Sequence, residues 1–420
     1  MLLIKGGRVC GELQQVSDIL IKDGKISAIS ENIPKTSEMT VLEASGLFIA
    51  PGLVDMHVHF RDPGYEYKED IITGAQAAAA GGVTTCCCMP NTSPVADNPD
   101  VLNYIAHKSK EAAVTVLPIG AVTLGQEGRE LTDFPALKAA GAVALSDDGN
   151  PIKNAKLMHR ALQTAKEHNM RIISHCEDAG MVQNHAVNEG KVSWELMLPG
   201  RPAIAEEIMV ARDAMLAAET GSAVHIAHVS TARSVEIIRK AKEAGAKITA
   251  ETCPQYFTLT EDEILKQGAL ARVNPPLRTK DDMDAVICGL ADGTLDAIAT
   301  DHAPHSAEEK SFPLTEAPGG MIGLETSLAL ALTFLYHTGR LSIEEIIALM
   351  SENPARILGI NAGRLTQAGT ADIIAFDPEE EWTVKPESFK SKARNTPFGG
   401  MKLRGRVKYT ISRGQIVYSG

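Results

Sequence analysis

Two histidines one residue apart, His57 and His59, stand at the end of the apolar run Leu53–Val58. Residues i and i+2 of a strand share a face, so both imidazoles are expected to project to one side. Groups of the same chemistry recur downstream. Asp147-Asp148 follows the run at 142–145, His175 follows 171–174, His228 follows 223–227, and Asp301 follows 297–300, with His302 and His305 just beyond. Imidazole and carboxylate suit Zn²⁺, and an open coordination position would hold a water. Four histidines and two carboxylates exceed the needs of one tetrahedral ion. Two metals sharing a carboxylate and a hydroxide fit the set better. The fourth strand end carries no lysine, so no carbamylated lysine is available there, and Asp148 or Asp147 bridges instead. A single HxH pair is often structural. Recurrence at five strand ends is what gives the pattern its weight.

Other reactive types read as structural. Cys86, Cys87 and Cys88 are consecutive in an apolar run and are expected to be buried wall. Cys176 adjoins His175 and should face the other way, as should His302 beside Asp301. His225, three residues before His228, reads as a satisfied wall residue.

The elements that would position these groups alternate. Apolar runs occur at 53–58, 83–89, 114–119, 142–145, 171–174, 223–228, 247–252 and 297–300, and helical stretches such as 71–80, 234–244 and 281–290 lie between them. Strand–helix alternation implies a parallel sheet, and eight repeats imply an α/β fold of the (β/α)8 barrel type, whose active site lies at the C-terminal strand ends. A doubly wound sheet would usually carry a glycine-rich phosphate loop, and no GxGxxG or Walker sequence is present. The two ends differ from this rhythm. Residues 2–9, 16–21 and 25–29 read as short strands separated by Gly6-Gly7, Gly11 and Asp23-Gly24, and residues 405–417 read as another hairpin. Neither end has enough apolar mass for its own core. Residues 1–50 and 366–420 are therefore expected to form one small β-sandwich domain, with the barrel at 51–365.

Composition sets the outer limits. The 420 residues are 44% hydrophobic and 22% charged, an ordinary globular balance. A formal net charge of -12 disfavours nucleic-acid binding. No run of 18 apolar residues and no signal-peptide pattern is present, so no membrane association is expected. Seven cysteines, three of them consecutive and none in a CxxC pair, suggest reduced thiols and a cytoplasmic protein.

The segment from Asp55 to Gly64, DMHVHFRDPG, resembles the first signature of bacterial dihydroorotase, and ATDHAPH at 299–305 resembles its second. Between them MPNT at 89–92, SDDG at 146–149, SHCE at 174–177, IAHVS at 226–230 and NPPLR at 274–278 match in order. The likeness spans nearly the whole chain and is to the long, type I form, whose fourth strand offers aspartate. HxH alone would indicate only the wider amidohydrolase superfamily.

That resemblance implies zinc-dependent, reversible cyclisation of N-carbamoyl-L-aspartate to (S)-dihydroorotate and water, the third step of pyrimidine synthesis. It implies two zinc ions per chain, bridged by Asp148 and hydroxide. His57, His59 and Asp301 would hold one ion, and His175 and His228 the other. Asp301 would also shuttle the proton as base and then acid. Arg61, sharing the parity of His57 and His59, would take the substrate carboxylate with Asn91 and His305. Asn274 would bond the ring or ureido edge, and the loop 318–321 would supply backbone contacts through Gly319 and Gly320. The family more usually has Phe at position 319, and glycine there is expected to remove apolar cover and loosen the loop. A homodimer is the family expectation, and association with aspartate transcarbamoylase is an added role found in some members. The competing readings are a related cyclic amidohydrolase, such as a dihydropyrimidinase or allantoinase, and a non-catalytic assembly partner. The first leaves Arg61 without an anionic partner, and the second predicts lost ligand positions, of which there are none.

Overall fold

A computed structural model describes residues 1–10, 15–182 and 185–420, so the turn expected at Gly11 lies outside the described residues. The eight barrel strands are Leu53–Val58, Val83–Cys88, Thr115–Pro118, Leu145–Ser146, Ile172–Ser174, Val224–Ile226, Ile248–Thr252 and Ala297–Ile298. The pairings between neighbours are all parallel. Ladders join the first three strands and the last five, and bridges Gly120↔Leu145 and Val58↔His302 connect the two sets at both seams, closing the ring. Every residue of the first two strands is buried. Helices cover the outside of a parallel barrel and side chains fill its inside, which is why these runs read as continuous rather than alternating apolar stretches.

Closure at the first–eighth seam depends on Asp55. Its Oδ2 accepts from Thr300 Oγ1 at 2.6 Å and its Oδ1 from the backbone N–H groups of His57 and Thr300. The backbone N–H of His59 donates to His302 O at 2.8 Å. The seam is thus stitched immediately beneath the two strand ends that carry metal-capable side chains.

Helix starts follow local rules. Asp70 caps Ile71–Ala80 by accepting from Ile72 N and Thr73 N, with Thr73 returning the bond. Asn154 and Thr231 cap Ala155–Glu167 and Ala232–Glu243 in the same manner.

Strands from both termini share one eight-stranded sheet, in which Phe48–Pro51 pairs with Leu2–Val9 on one side and Ile373–Thr383 on the other. Ile4, Ile19, Ile26, Ile49, Ile373 and Ile411 are packed together in a core of its own. Between two of its strands the chain leaves this layer. Phe389, Ala393 and Phe398 join the barrel core instead, and residues 390–395 run across the barrel beside the strand ends. Composition gave no sign of this excursion.

Candidate active site

His57 is the penultimate residue of the first strand and is fully buried. Its Nδ1–H donates to Glu251 Oε1 at 2.7 Å, which leaves the Nε2 lone pair directed at Asp148 Oδ1, 3.4 Å away, and Asp301 Oδ1, 3.6 Å away. His59 has the same arrangement. Nδ1–H donates to Asn91 Oδ1 at 2.9 Å, and Nε2 lies 3.0 Å from Asp301 Oδ1 and 3.4 Å from Asp148 Oδ2. A hydrogen bond at one imidazole nitrogen fixes the tautomer and so assigns the other to the site.

Asp148 sits among the histidines. His175 Nδ1 and His228 Nε2 lie 3.3 and 3.6 Å from its Oδ1, and those two nitrogens are 2.8 Å apart. Asp147 turns the other way, accepting from Val122 N and Thr123 N. Burial pushes its carboxyl up to about 6. Burial acts on Asp148 in the same sense, yet His57, His175 and His228 outweigh it and hold this carboxyl well below the usual range. Of the adjacent aspartates, then, only Asp148 faces the cluster. His175 is steadied by Glu177, whose Oε2 is 3.5 Å from its Nε2 and takes a bond from Arg201 at 2.7 Å.

These side chains fit a metal. His57, Asp148 and His228 bring ligand atoms within 4.8 Å of one another, as do His57, His59 and Asp301. His57 Nε2 and Asp148 Oδ1 are buried and have no hydrogen-bond partner. Buried polar atoms are nearly always paired, so such atoms facing one another are suited to a cation.

A cavity of 430 Å³ opens above the cluster, lined among others by Arg61, Asn91, Asn274, His305, Gly319 and Gly320. Arg61 reaches it by a route that strand parity does not describe. The strand ends at Val58, and Arg61 lies in the following loop with φ 61°. Its direction comes from a left-handed backbone and from Nε donating to Pro304 O at 3.2 Å, which brings Nη2 within 3.4 Å of His305 Nε2. His228 and Asp301 also have positive φ, 36° and 48°. Such conformations are strained for residues with a Cβ and persist where surrounding structure enforces them, often at functional sites.

The remaining positions are more constrained than the sequence suggested. Asn91 uses its carbonyl on His59, leaving its amide N–H groups toward the cavity. His305 Nε2–H donates to Gly319 O at 3.1 Å, and burial followed by the Arg61 charge pushes this imidazole down to about 3. Asn274 Oδ1 is buried without a partner. A Cβ at Gly319 would lie 2.7 Å from Asn274 Nδ2, so the asparagine occupies the space a side chain would take. Gly320 N donates to Arg272 O, and Lys310 Nζ donates to Pro318 O at 2.8 Å.

His302 points away from the cluster, its Nδ1 accepting from Gly323 N. His225 is held between Thr249 and Glu251. Cys86, Cys87 and Cys88 are buried, and burial pushes all three thiols up. Sequence reasoning missed Glu251, Glu177, Arg201, Arg272 and Asn395. Glu251 had a signal, since a carboxylate inside an otherwise uncharged barrel strand needs a partner.

A dihydro-orotase-like family model matches residues 46–234. A dihydroorotase of Clostridioides difficile (strain 630) is 50% identical over 422 residues, covering all of both chains. A dihydroorotase of Pelotomaculum thermopropionicum is 51% identical over 420 residues, covering 99% of this chain and 98% of the relative. Among solved structures, L-hydantoinase (dihydropyrimidinase) from Arthrobacter aurescens superposes with a TM-score of 0.88 at 26% identity, covering 100% of this chain and 96% of that one. Its fold class is that of the present chain.

Proposed function

The chain belongs to the dihydroorotase family of cyclic amidohydrolases, and from that premise we propose that it interconverts N-carbamoyl-L-aspartate and (S)-dihydroorotate with two zinc ions, as the third step of pyrimidine synthesis. The observation that carries the substrate assignment is Arg61. It is a half-buried guanidinium lining the cavity beside the metal-capable cluster, and its side chain has no carboxylate partner within ion-pair distance among the described residues. A cation in that condition calls for an anion from the ligand, and dihydroorotate has a carboxylate remote from the bond that breaks.

His57, His59 and Asp301 would hold one ion and His175 and His228 the other, with Asp148 between them. When bound, the metal supplies a Lewis acid that polarises the ring carbonyl and makes a nucleophile available at neutral pH. Asp301 accepts the proton of the attacking water through a carboxylate oxygen and passes it to the departing ring nitrogen, so one group serves as base and then acid. Arg61 pairs with the carboxylate side-on, Asn91 adds an amide N–H, and the fixed loop at Gly319–Gly320 offers main-chain groups to the ring edge. Asn274, whose Oδ1 has no protein partner, accepts from a ring or ureido N–H. In the synthetic direction the ureido nitrogen attacks the side-chain carboxylate carbon, Asp301 takes its proton, and that proton goes to the carboxylate oxygen that departs as water when the C–O bond breaks.

The test is hydrolysis of dihydroorotate by the purified protein, followed by absorbance, with zinc content measured on the same sample. Activity on dihydrouracil exceeding that on dihydroorotate would move the chain to the dihydropyrimidinase reading.

A further inference from the structure

Asn395 lies on the stretch of C-terminal chain that leaves the terminal sheet and crosses the barrel, and it is 3% exposed. The stretch is anchored first by acidic residues. Glu325 accepts from Lys390 N and Ser391 N, Glu69 accepts from Lys392 N and from the Ser391 hydroxyl, and Asp70 pairs with Lys392 Nζ. Asn395 then spends every polar atom of its side chain on the two loops that wall the substrate cavity. Its Oδ1 accepts from His305 N at 3.1 Å, and its Nδ2 donates to Ala303 O and Gly320 O, both at 3.1 Å. Its backbone O accepts from Ile322 N at 3.0 Å.

The geometry is that of a clamp. The loop 303–305 carries His305 and the loop 318–320 carries Gly319 and Gly320. Among the described residues their direct side-chain link is His305 Nε2 to Gly319 O. Asn395 lies behind both, holding each by main-chain atoms, while Arg61 reaches His305 from the cavity side. Alanine at 395 would free one N–H and two C=O groups in a buried setting, which favours displacement of the loops.

We propose that Asn395 is a positioning residue for substrate binding, setting the distance between the His305 loop and the Gly319–Gly320 loop across the carboxylate pocket. This rests on the reading of those loops as substrate-binding. The residue touches neither the metal-capable side chains nor the reacting bond, so it acts on how well the substrate is held.

The experiment compares metal-loaded wild type with Asn395→Ala and Asn395→Asp, the latter keeping size and the acceptor to His305 N while losing both donors. Loss of these bonds is expected to raise KM for dihydroorotate about five- to tenfold in Asn395→Ala, with KM moving more than kcat and zinc content staying at the wild-type level. Asn395→Asp should show a similar rise in KM and stands in if the alanine variant does not fold. Amide hydrogen exchange gives the second readout, since His305 N–H should exchange faster in Asn395→Ala. Unchanged exchange, or a fall in zinc content matching the loss of activity, overturns the positioning role. Faster exchange with an unchanged KM instead sinks the substrate reading of the two loops.

Discussion

Glu251 Oε1 lies 2.7 Å from His57 Nδ1, with both side chains fully buried. The same carboxylate meets His225 Nε2 at 3.2 Å through its other oxygen. Burial alone would raise its pKa, but the two imidazoles hold it at about 2, so it stays ionised and keeps His57 Nδ1 as the donor. Carboxylates behind a metal-binding histidine raise its basicity and fix its ring, and their loss typically costs about 10- to 100-fold in metal affinity. Glu251→Gln should therefore weaken zinc binding by about that factor. Chelator competition measures it, and affinity equal to wild type would remove Glu251 from the support of the site.

Arg61→Met tests the substrate assignment. Loss of a charge-assisted hydrogen bond costs about 1.5–3 kcal/mol, so kcat/KM for dihydroorotate should fall at least about tenfold. Arg61→Lys should recover part, keeping charge but losing the planar fork. Turnover of dihydrouracil, which has no carboxylate, should be low in wild type and should not fall in parallel. Equal proportional losses on both substrates would reopen the choice of substrate.

Gly319 and Asn274 should behave as a pair. Gly319→Ala places a Cβ against the Asn274 amide, which must then move. The expected outcome is a several-fold rise in KM, with a further rise for the bulkier Gly319→Phe. In a double-mutant cycle with Asn274→Ala, the Gly319→Ala effect should shrink, since residues in contact couple by about 0.5–3 kcal/mol. Strictly additive effects would mean that the two do not share this space.

Lys310 gives a pH dependence with a definite sign. Its amine donates to Ala269 O and Pro318 O, and burial followed by the Arg272 charge pushes it from 10.5 down to about 7. Below about pH 7 both folded and unfolded chains carry the proton, and the folded state bears the cost of burying the charge. Between about 7 and 10.5 the unfolded chain binds a proton that the folded chain has lost, so stability rises with pH. Relative to Lys310→Met, the wild type should gain thermal stability between pH 6.5 and 8.5. A melting-temperature difference that does not change with pH would show that this amine does not titrate there.

Most of the barrel was readable because its strands are buried on both faces. The runs at 53–58 and 247–252 need no tertiary information to be seen as strands, and His57 stands out in the first of them. The choice between Asp147 and Asp148 was not readable, because the fourth strand is only two residues long and the pair lies beyond it, where alternation no longer applies. Arg61 was placed at the site by a parity argument although its loop is left-handed there. Asn395 was invisible for a different reason. Its importance comes from main-chain groups of residues 92 and 75 positions away, and no local pattern encodes partners at that distance.

The stitch between Asp55 and Thr300 joins residues 245 positions apart. During synthesis the first strand leaves the ribosome long before its neighbour in the ring exists, and it waits with an open edge. His57 and Asp301 lie on either side of that last seam, so the nascent chain is unable to bring the full set of metal-capable side chains together until about 300 residues have been made. Contacts of such long sequence separation are slow to form. A chain truncated before the eighth strand would keep His57, His59, Asp148, His175 and His228 but lack Asp301, so completion of the metal-capable cluster waits on the last strand of the ring.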